Sequence, residues 1–140
     1  MSLDLDALLD LWSQPPADDS DAVEAFRRLY VDPVHINGAT LSASDLVERA
    51  RSLQQALDQV EREVIEVCEA GTKVAVAFRL EGRHVGPLAT SAGVLPPTGQ
   101  RLSLRVIDVL SISDGKITAV TMVADELGAL AAANAVALVG

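Results

Sequence analysis

The sequence contains few of the residues from which disulfide scaffolds and metal sites are built. It has one cysteine, Cys68, so an internal disulfide framework and a thiolate-only metal site are excluded. Cys68 lies in an apolar stretch, where a small buried side chain is more common than a nucleophile. His35 and His84 are the only histidines, and neither has a carboxylate at metal-ligand spacing. We therefore expect no metal site.

Positive charge and long apolar runs are also scarce. Lys and Arg number 11 against 20 Asp and Glu, which gives a net charge of −9. Binding to phosphates needs the opposite sign, so nucleic acid is not expected as a partner. The longest apolar candidate, Leu127 to Val139, is interrupted by Gly128 and Asn134 and falls short of the roughly 18 residues of a membrane span. The first residues are acidic, unlike a secretory signal, so we expect a cytoplasmic protein without membrane contact.

The remaining composition is that of a folded chain. Hydrophobic residues make up 49 % and charged residues 22 % of the 140 residues, which suffices for a buried core. This length is typical of one domain. We expect a single domain over residues 1–140, with an N-terminal helix and linker at 1–19, a core at 20–130 and a C-terminal tail at 131–140.

The apolar spacing predicts helices first and strands afterwards. Helical periodicity indicates three early helices, at residues 3–12, 20–32 and 42–57. Residues 59–124 are then typical of strands, apart from a loop-rich crossing at 82–99 and a hairpin turn at Asp114-Gly115. The alanine-rich tail is expected to be helical. This order predicts an α+β fold, a cone-shaped barrel of strongly curved antiparallel sheet packed on the N-terminal helices.

Two carboxylates fall on apolar strand faces when the residues are counted in alternation. Asp108 shares a face with Leu110, and Asp125 shares one with Ile117 and Val123. Apolar surroundings raise the pKa of a carboxyl group, and a general acid/base needs a pKa near the working pH. Both aspartates also have structural alternatives. Asp125 can cap the following helix, and Asp108 can hold backbone amides or be turned to solvent by a bulge.

Other polar side chains are candidates for the lining of a pocket. His84 lies in a glycine-flanked loop and could face either a cavity or water. His35 and Asn37 share a face of a short extended piece, where they could line a pocket or satisfy a turn. Arg79 and Glu81 form an i, i+2 pair on a strand, either an exposed ion pair or a charged pair within a pocket.

Several segments resemble those of a known family. They are Pro96-Pro97-Thr98-Gly99-Gln100-Arg101, Val106-Ile107-Asp108-Val109, Ser113-Asp114-Gly115-Lys116-Ile117 and Val123-Ala124-Asp125-Glu126-Leu127-Gly128, with Gly82–Pro87 and Val34–Gly38. Over about residues 20 to 130 the chain resembles the SnoaL-like polyketide cyclases of the nuclear-transport-factor-2-like superfamily. The resemblance implies an α+β cone, a homodimer through the sheet, a deep pocket for a small apolar molecule and no cofactor.

The resemblance also implies aspartate general acid/base chemistry. In the cyclases an aspartate near the end of the last strand removes an acidic C–H proton, and the enolate closes a ring by intramolecular aldol addition. The best matching position here is Asp125, or Met122 about one turn of strand earlier. Asp108 occupies roughly the place of an assisting polar residue on the preceding strand.

A cyclase or isomerase is therefore the expected function, and two alternatives stay open. A limonene-type epoxide hydrolase would use Arg79 and Glu81, with Asp125 or Asp108 as a third member. A non-catalytic small-molecule-binding or dimerisation module would use neither aspartate. The predicted catalytic residues are Asp125 and Asp108, and the predicted substrate-binding residues are His84, His35, Asn37, Tyr30, Arg79, Glu81 and Met122.

Overall fold

A computed structural model of the chain describes residues 3–139, which form four helices and eight strands in the order α1-α2-β1-β2-α3-β3-β4-β5-β6-β7-β8-α4. The helices are α1 (Leu5–Ser13), α2 (Asp19–Leu29), α3 (Ala43–Ala56) and α4 (Glu126–Ala132). The strands are β1 (Tyr30–Ile36), β2 (Ala39–Leu41), β3 (Leu57–Ala70), β4 (Lys73–His84), β5 (Leu88–Thr90), β6 (Gly93–Leu95), β7 (Arg101–Ser113) and β8 (Lys116–Ala124).

Six strands form one curved sheet in the order β2-β1-β8-β7-β4-β3. The edge strands β2 and β3 are not paired with each other, so the sheet is open and not a closed barrel. Its neighbours are antiparallel except β1 and β8, which run parallel. The predicted α+β class and curved sheet are confirmed. The expectation of a barrel is wrong, because the sheet stays open between β2 and β3. The expectation of antiparallel pairing throughout is also wrong. Strands β1 and β8 are far apart in the sequence, so no hairpin forces them to run antiparallel.

Helices α1, α2 and α3 pack on one side of this sheet, which we call the inner face; the other side is the outer face. The cluster between them contains Leu8 and Leu11 of α1, Phe26 of α2 and Leu46 of α3. The inner face contributes buried side chains of β4, β7 and β8, among them Val76, Leu110 and Val120. Residues of α1, which the sequence placed outside the 20–130 core, therefore belong to the main hydrophobic cluster.

Local signals account for most element boundaries. Helix α3 begins with a capping box, in which Ser42 accepts from the Asp45 backbone amide and Asp45 accepts from that of Ser42. Helix α2 ends at Leu29, earlier than predicted, and Tyr30 begins β1 instead of extending the helical stripe. The loop-rich crossing contains the small β5–β6 hairpin, which was not predicted.

No helix within residues 3–139 is long and apolar enough to cross a membrane.

A second, smaller cluster lies where β4 ends and β7 begins. It contains Leu57, Leu80, Leu102 and Ala133, so residues after α4 cover this end of the sheet. Backbone segments approach closely here: a Cβ on Gly86 would collide with the carbonyl oxygen of Gln55. The position therefore requires glycine.

Candidate active site

Asp108 lies on the inner face of β7, between Val76 of β4 and Met122 of β8. Its side chain is half-buried, and the buried Oδ1 has no hydrogen-bond partner among the described residues. Burial in these surroundings raises the pKa of Asp108 to about 6. The carboxyl group can therefore both accept and donate a proton near neutral pH, as general acid/base chemistry requires.

Tyr30 and Trp12 form a polar connection within the core, near enough to Asp108 for its charge to act on Tyr30. Tyr30 is buried at the start of β1, and its pKa is raised by burial and, to a smaller extent, by the charge of Asp108. The Trp12 Nε1–H donates to Tyr30 Oη at 2.8 Å, so the Tyr30 hydroxyl hydrogen stays available as a donor. Trp12 also packs edge-on against Phe26, with 5.2 Å between ring centroids. Helix α1 thus helps to position Tyr30.

Asp125 caps α4 instead of facing the sheet interior. Its Oδ1 accepts from the Gly128 backbone N–H at 2.9 Å, and the residue is exposed. The expectation that Asp125 and Val123 share the apolar face of Ile117 is wrong. A register shift in the β7–β8 pairing puts both Ile117 and Val120 inside, whereas Val123 is 68 % exposed. Such a bulge inverts the alternation of all following residues.

His84 is fully buried at the end of β4. The Thr98 backbone N–H donates to its Nδ1 at 3.1 Å, so the neutral ring carries its hydrogen on Nε2. Nε2 is buried without a partner among the described residues. His84 lies eight residues beyond Val76, the neighbour of Asp108, which corresponds to roughly 26 Å of strand. The structure therefore does not bring His84 and Asp108 together.

His35 and Asn37 flank the end of β1. His35 is exposed, with its Nδ1 3.3 Å from Thr40 Oγ1. The Asn37 side chain accepts from the Met122 N–H at 2.8 Å and donates to the Met122 carbonyl at 3.2 Å. Asn37 thus continues the strand pairing one step beyond β1 and fixes the backbone of Met122, whose side chain faces the same side as Asp108.

Arg79 and Glu81 lie on the outer face, in alternation with the buried inner residues of β4. Arg79 is 3.6 Å from Glu63 and 4.0 Å from Glu81, and Arg101 is 3.5 Å from Glu81. These are partly exposed surface ion pairs. The pair and Asp108 are on opposite sides of the sheet, so the three charged groups of the epoxide-hydrolase hypothesis are not assembled.

Two open cavities border the helices. One, of about 710 Å³, lies between α3 and the β5–β6 hairpin, and the other, of about 730 Å³, lies between α1 and β3. The second contains the inward-facing Arg62, which the sequence analysis missed. Its place between Val60 and Val64 in the period-two alternation of this segment was the available signal. Within residues 3–139 no group of three His, Cys, Asp or Glu side chains is placed to hold a metal ion.

Comparison with known families decides the relationship. The sequence model of the SnoaL-like polyketide cyclases matches residues 5–133, nearly the whole chain. The chain belongs to the SnoaL-like polyketide cyclase family. This match confirms the resemblance and extends it through α1, before the predicted limit at residue 20. No curated protein matches this SnoaL-like chain closely enough to count as a relative.

Solved structures place the SnoaL-like chain in the same fold. TsrD from Streptomyces laurentii is 16 % identical with a TM-score of 0.77, and the alignment covers 94 % of this chain and 92 % of TsrD. A SnoaL-like polyketide cyclase from Agrobacterium tumefaciens is 17 % identical with a TM-score of 0.72, covering 94 % and 98 %. AclR from Streptomyces galilaeus is 20 % identical with a TM-score of 0.70, covering 95 % and 96 %. At these identities the likeness shows the fold alone.

Proposed function

We propose that the protein is a cofactor-independent cyclase or isomerase that acts on a small apolar molecule, with Asp108 as its general acid/base. The observation that carries this proposal is the half-buried Asp108 carboxyl group on the inner face, whose Oδ1 has no hydrogen-bond partner within residues 3–139 and whose pKa is raised to about 6. A carboxyl group whose pKa is shifted towards neutral pH by apolar surroundings is typical of proton-transfer sites.

The reaction would use Asp108 twice. Its carboxylate takes the proton from an activated C–H bond, and the enolate carbon then forms a bond to a carbonyl carbon of the same molecule. The alkoxide that results takes the proton back from the Asp108 carboxylic acid, so no proton is gained or lost overall. The Tyr30 oxygen accepts from the Trp12 Nε1–H, so the Tyr30 O–H would donate to the enolate oxygen.

The location of Asp108 supports its role over that of Met122 on β8 and of Asp125, which caps α4. Met122 stands directly opposite Asp108 in the antiparallel pair, where side chains on one face lie about 5 Å apart. A carboxyl group on β7 therefore reaches the part of the inner face that residue 122 borders. The carboxylate of Asp125 is already engaged by the Gly128 amide.

Deuterium exchange into 2-tetralone, a ketone with an activated C–H bond, tests the proposal. We expect the wild type to accelerate exchange, with a rate that rises as the pH passes through about 6 and Asp108 loses its proton. Asp108→Asn is expected to lower the enzymatic rate roughly 100-fold or more, since it removes the base. Measurement by NMR between pH 4 and 8 gives both results.

Asp125→Asn is the matched control and should keep the wild-type rate and pH profile. If exchange is lost in Asp125→Asn and retained in Asp108→Asn, the catalytic role belongs to Asp125. If the wild type does not accelerate exchange at all, the binding-module alternative replaces the enzyme.

We further propose a homodimer formed through the outer face. Ile107 and Val123 are paired across β7 and β8 on this face and are 54 % and 68 % exposed. The ion pairs around Arg79 and Arg101 border them on the same face. An apolar centre with a charged border is typical of a contact between subunits.

Ile107→Glu is expected to shift the protein from dimer to monomer, because it places a charge at the centre of the proposed contact. Light scattering after size-exclusion chromatography measures the mass. Val94→Glu, which changes an equally exposed valine on β6, serves as the control and should remain dimeric. A monomeric wild type at micromolar concentration would contradict the proposal.

The absence of a cofactor and the cytoplasmic location stay predictions.

A further inference from the structure

Arg62 differs from the other arginines in its surroundings. It lies on β3 opposite Leu80, so its side chain enters the space between the sheet and α1. Five arginines, at positions 27, 51, 79, 83 and 101, each have a carboxylate within 4.0 Å. Three more, at positions 28, 49 and 105, have none among the described residues, but all three are exposed to solvent. Arg62 is half-buried, yet no carboxylate of the described residues lies within that distance, although the chain carries a net charge of −9.

The one polar protein contact of Arg62 in the described chain is neutral. An Nη1–H donates to Ser13 Oγ, whose own hydroxyl donates to the Leu9 carbonyl at 2.9 Å. This contact uses one of the five N–H donors of the guanidinium group. Burial lowers the pKa of Arg62, but arginine remains charged at all physiological pH values. A half-buried charge without a counter-ion is costly, so the position favours a negative group.

The cavity around Arg62 has room for such a group and an apolar body attached to it. Its volume is about 730 Å³, within the range of small-molecule sites. Leu9, Leu11, Val60 and Val64 supply its apolar lining, whereas polar groups, among them those of Ser13, Gln14 and Arg62, form the larger part of the lining surface. The carboxylates of Asp6 and Asp10 also line it, but both residues are exposed on α1, which places them towards solvent.

From these observations we infer that the cavity between α1 and β3 is a binding site for an apolar carboxylic acid, with Arg62 as the anchor of the carboxylate. Two oxygens of a carboxylate match two parallel N–H groups of a guanidinium. The apolar part of the ligand would pack against the leucines and valines that line the cavity. The inference goes beyond the proposed function, because Asp108 does not line this cavity.

Binding of octanoate and 2-naphthoate, measured by calorimetry, tests the inference, with octanol and 2-naphthol as uncharged counterparts. We expect at least one acid to bind the wild type about tenfold or more tightly than its counterpart. Arg62→Gln should remove that preference, and Arg62→Lys should keep part of it. Arg28→Gln, which removes an exposed positive charge from α2, should leave the preference unchanged.

A second measurement does not depend on how well the variants fold. In the wild type, the Arg62 Nε–H resonance should shift on titration with the bound acid more than that of Arg28. The inference is overturned if neither acid binds, if acid and counterpart bind equally, or if the Arg62 resonance stays in place. If Asp10 forms a stable ion pair with Arg62, the acid and its uncharged counterpart will bind with equal affinity. That result also overturns the inference.

This experiment separates the two proposals. Asp108→Asn should bind the acid as the wild type does, even where it loses deuterium exchange. If Asp108→Asn loses deuterium exchange but still binds the acid, the result concerns the role of Asp108 alone. If Arg62→Gln loses acid binding but still catalyses exchange, the result concerns the role of Arg62 alone.

Discussion

Replacement of Phe26 by alanine is expected to lower the free energy of unfolding by about 3 to 5 kcal/mol. Phe26 is fully buried on α2, and its ring contacts Trp12 edge-on and Tyr30 at 5.9 Å between centroids. The substitution removes buried apolar surface and leaves a cavity next to the rings of Trp12 and Tyr30, which the surrounding helices cannot fill completely. Urea unfolding at a fixed protein concentration measures the effect.

Phe26→Leu is the control for this prediction. Leucine fills much of the same volume, so the loss should stay near 1 to 1.5 kcal/mol. A loss below about 1 kcal/mol for Phe26→Ala would show that the cluster is not packed around this ring, because full truncation of a buried aromatic side chain costs several times as much.

Asp108→Asn is expected to stabilise the protein at high pH and to have little effect at low pH. The folded-state pKa of Asp108 is about 6, above its ordinary value, so the folded chain binds this proton more tightly than the unfolded chain does. The resulting stabilisation is fully present below about pH 4 and is lost as the pH rises through 6. Above pH 6 the wild type carries the cost of a half-buried charge, which asparagine does not have.

We expect Asp108→Asn to be more stable than the wild type by about 2 kcal/mol at pH 8, a value that allows for the partial exposure of the carboxyl group. The difference should approach zero at pH 4. Urea unfolding at both pH values measures it. A difference that is the same at both pH values would mean that Asp108 has an ordinary pKa.

The parts of the fold that depend on local patterns were predictable. The hairpin of β7 and β8 was predicted from its turn, because alternation and the Asp114-Gly115 signal are encoded within a few residues. The capping box of α3 is equally local. The β5–β6 hairpin was missed because each of its strands has three residues, too few for a period to be visible.

The candidate site was predictable only in part. Alternation along β7 placed Asp108 correctly on the inner face, since no irregularity falls between residues 101 and 111. The same counting failed for Asp125, because the bulge near Ile112 is a tertiary accommodation without a local sequence signal. The contact of Trp12 with Tyr30 joins residues 18 apart and depends on how α1 folds back. Periodicity within one element cannot show such a contact.

The position of α1 has a consequence for any attempt to shorten or extend the chain. The Trp12 indole of α1 supports the buried Tyr30 hydroxyl, and the Ser13 hydroxyl supports the Arg62 guanidinium. A polypeptide trimmed to begin at residue 20 would keep every strand and both aspartates, yet it would lose a supporting contact at each of two separate positions. Affinity tags and fusion partners are therefore better attached through a flexible spacer ahead of Leu5 than spliced into the first helix.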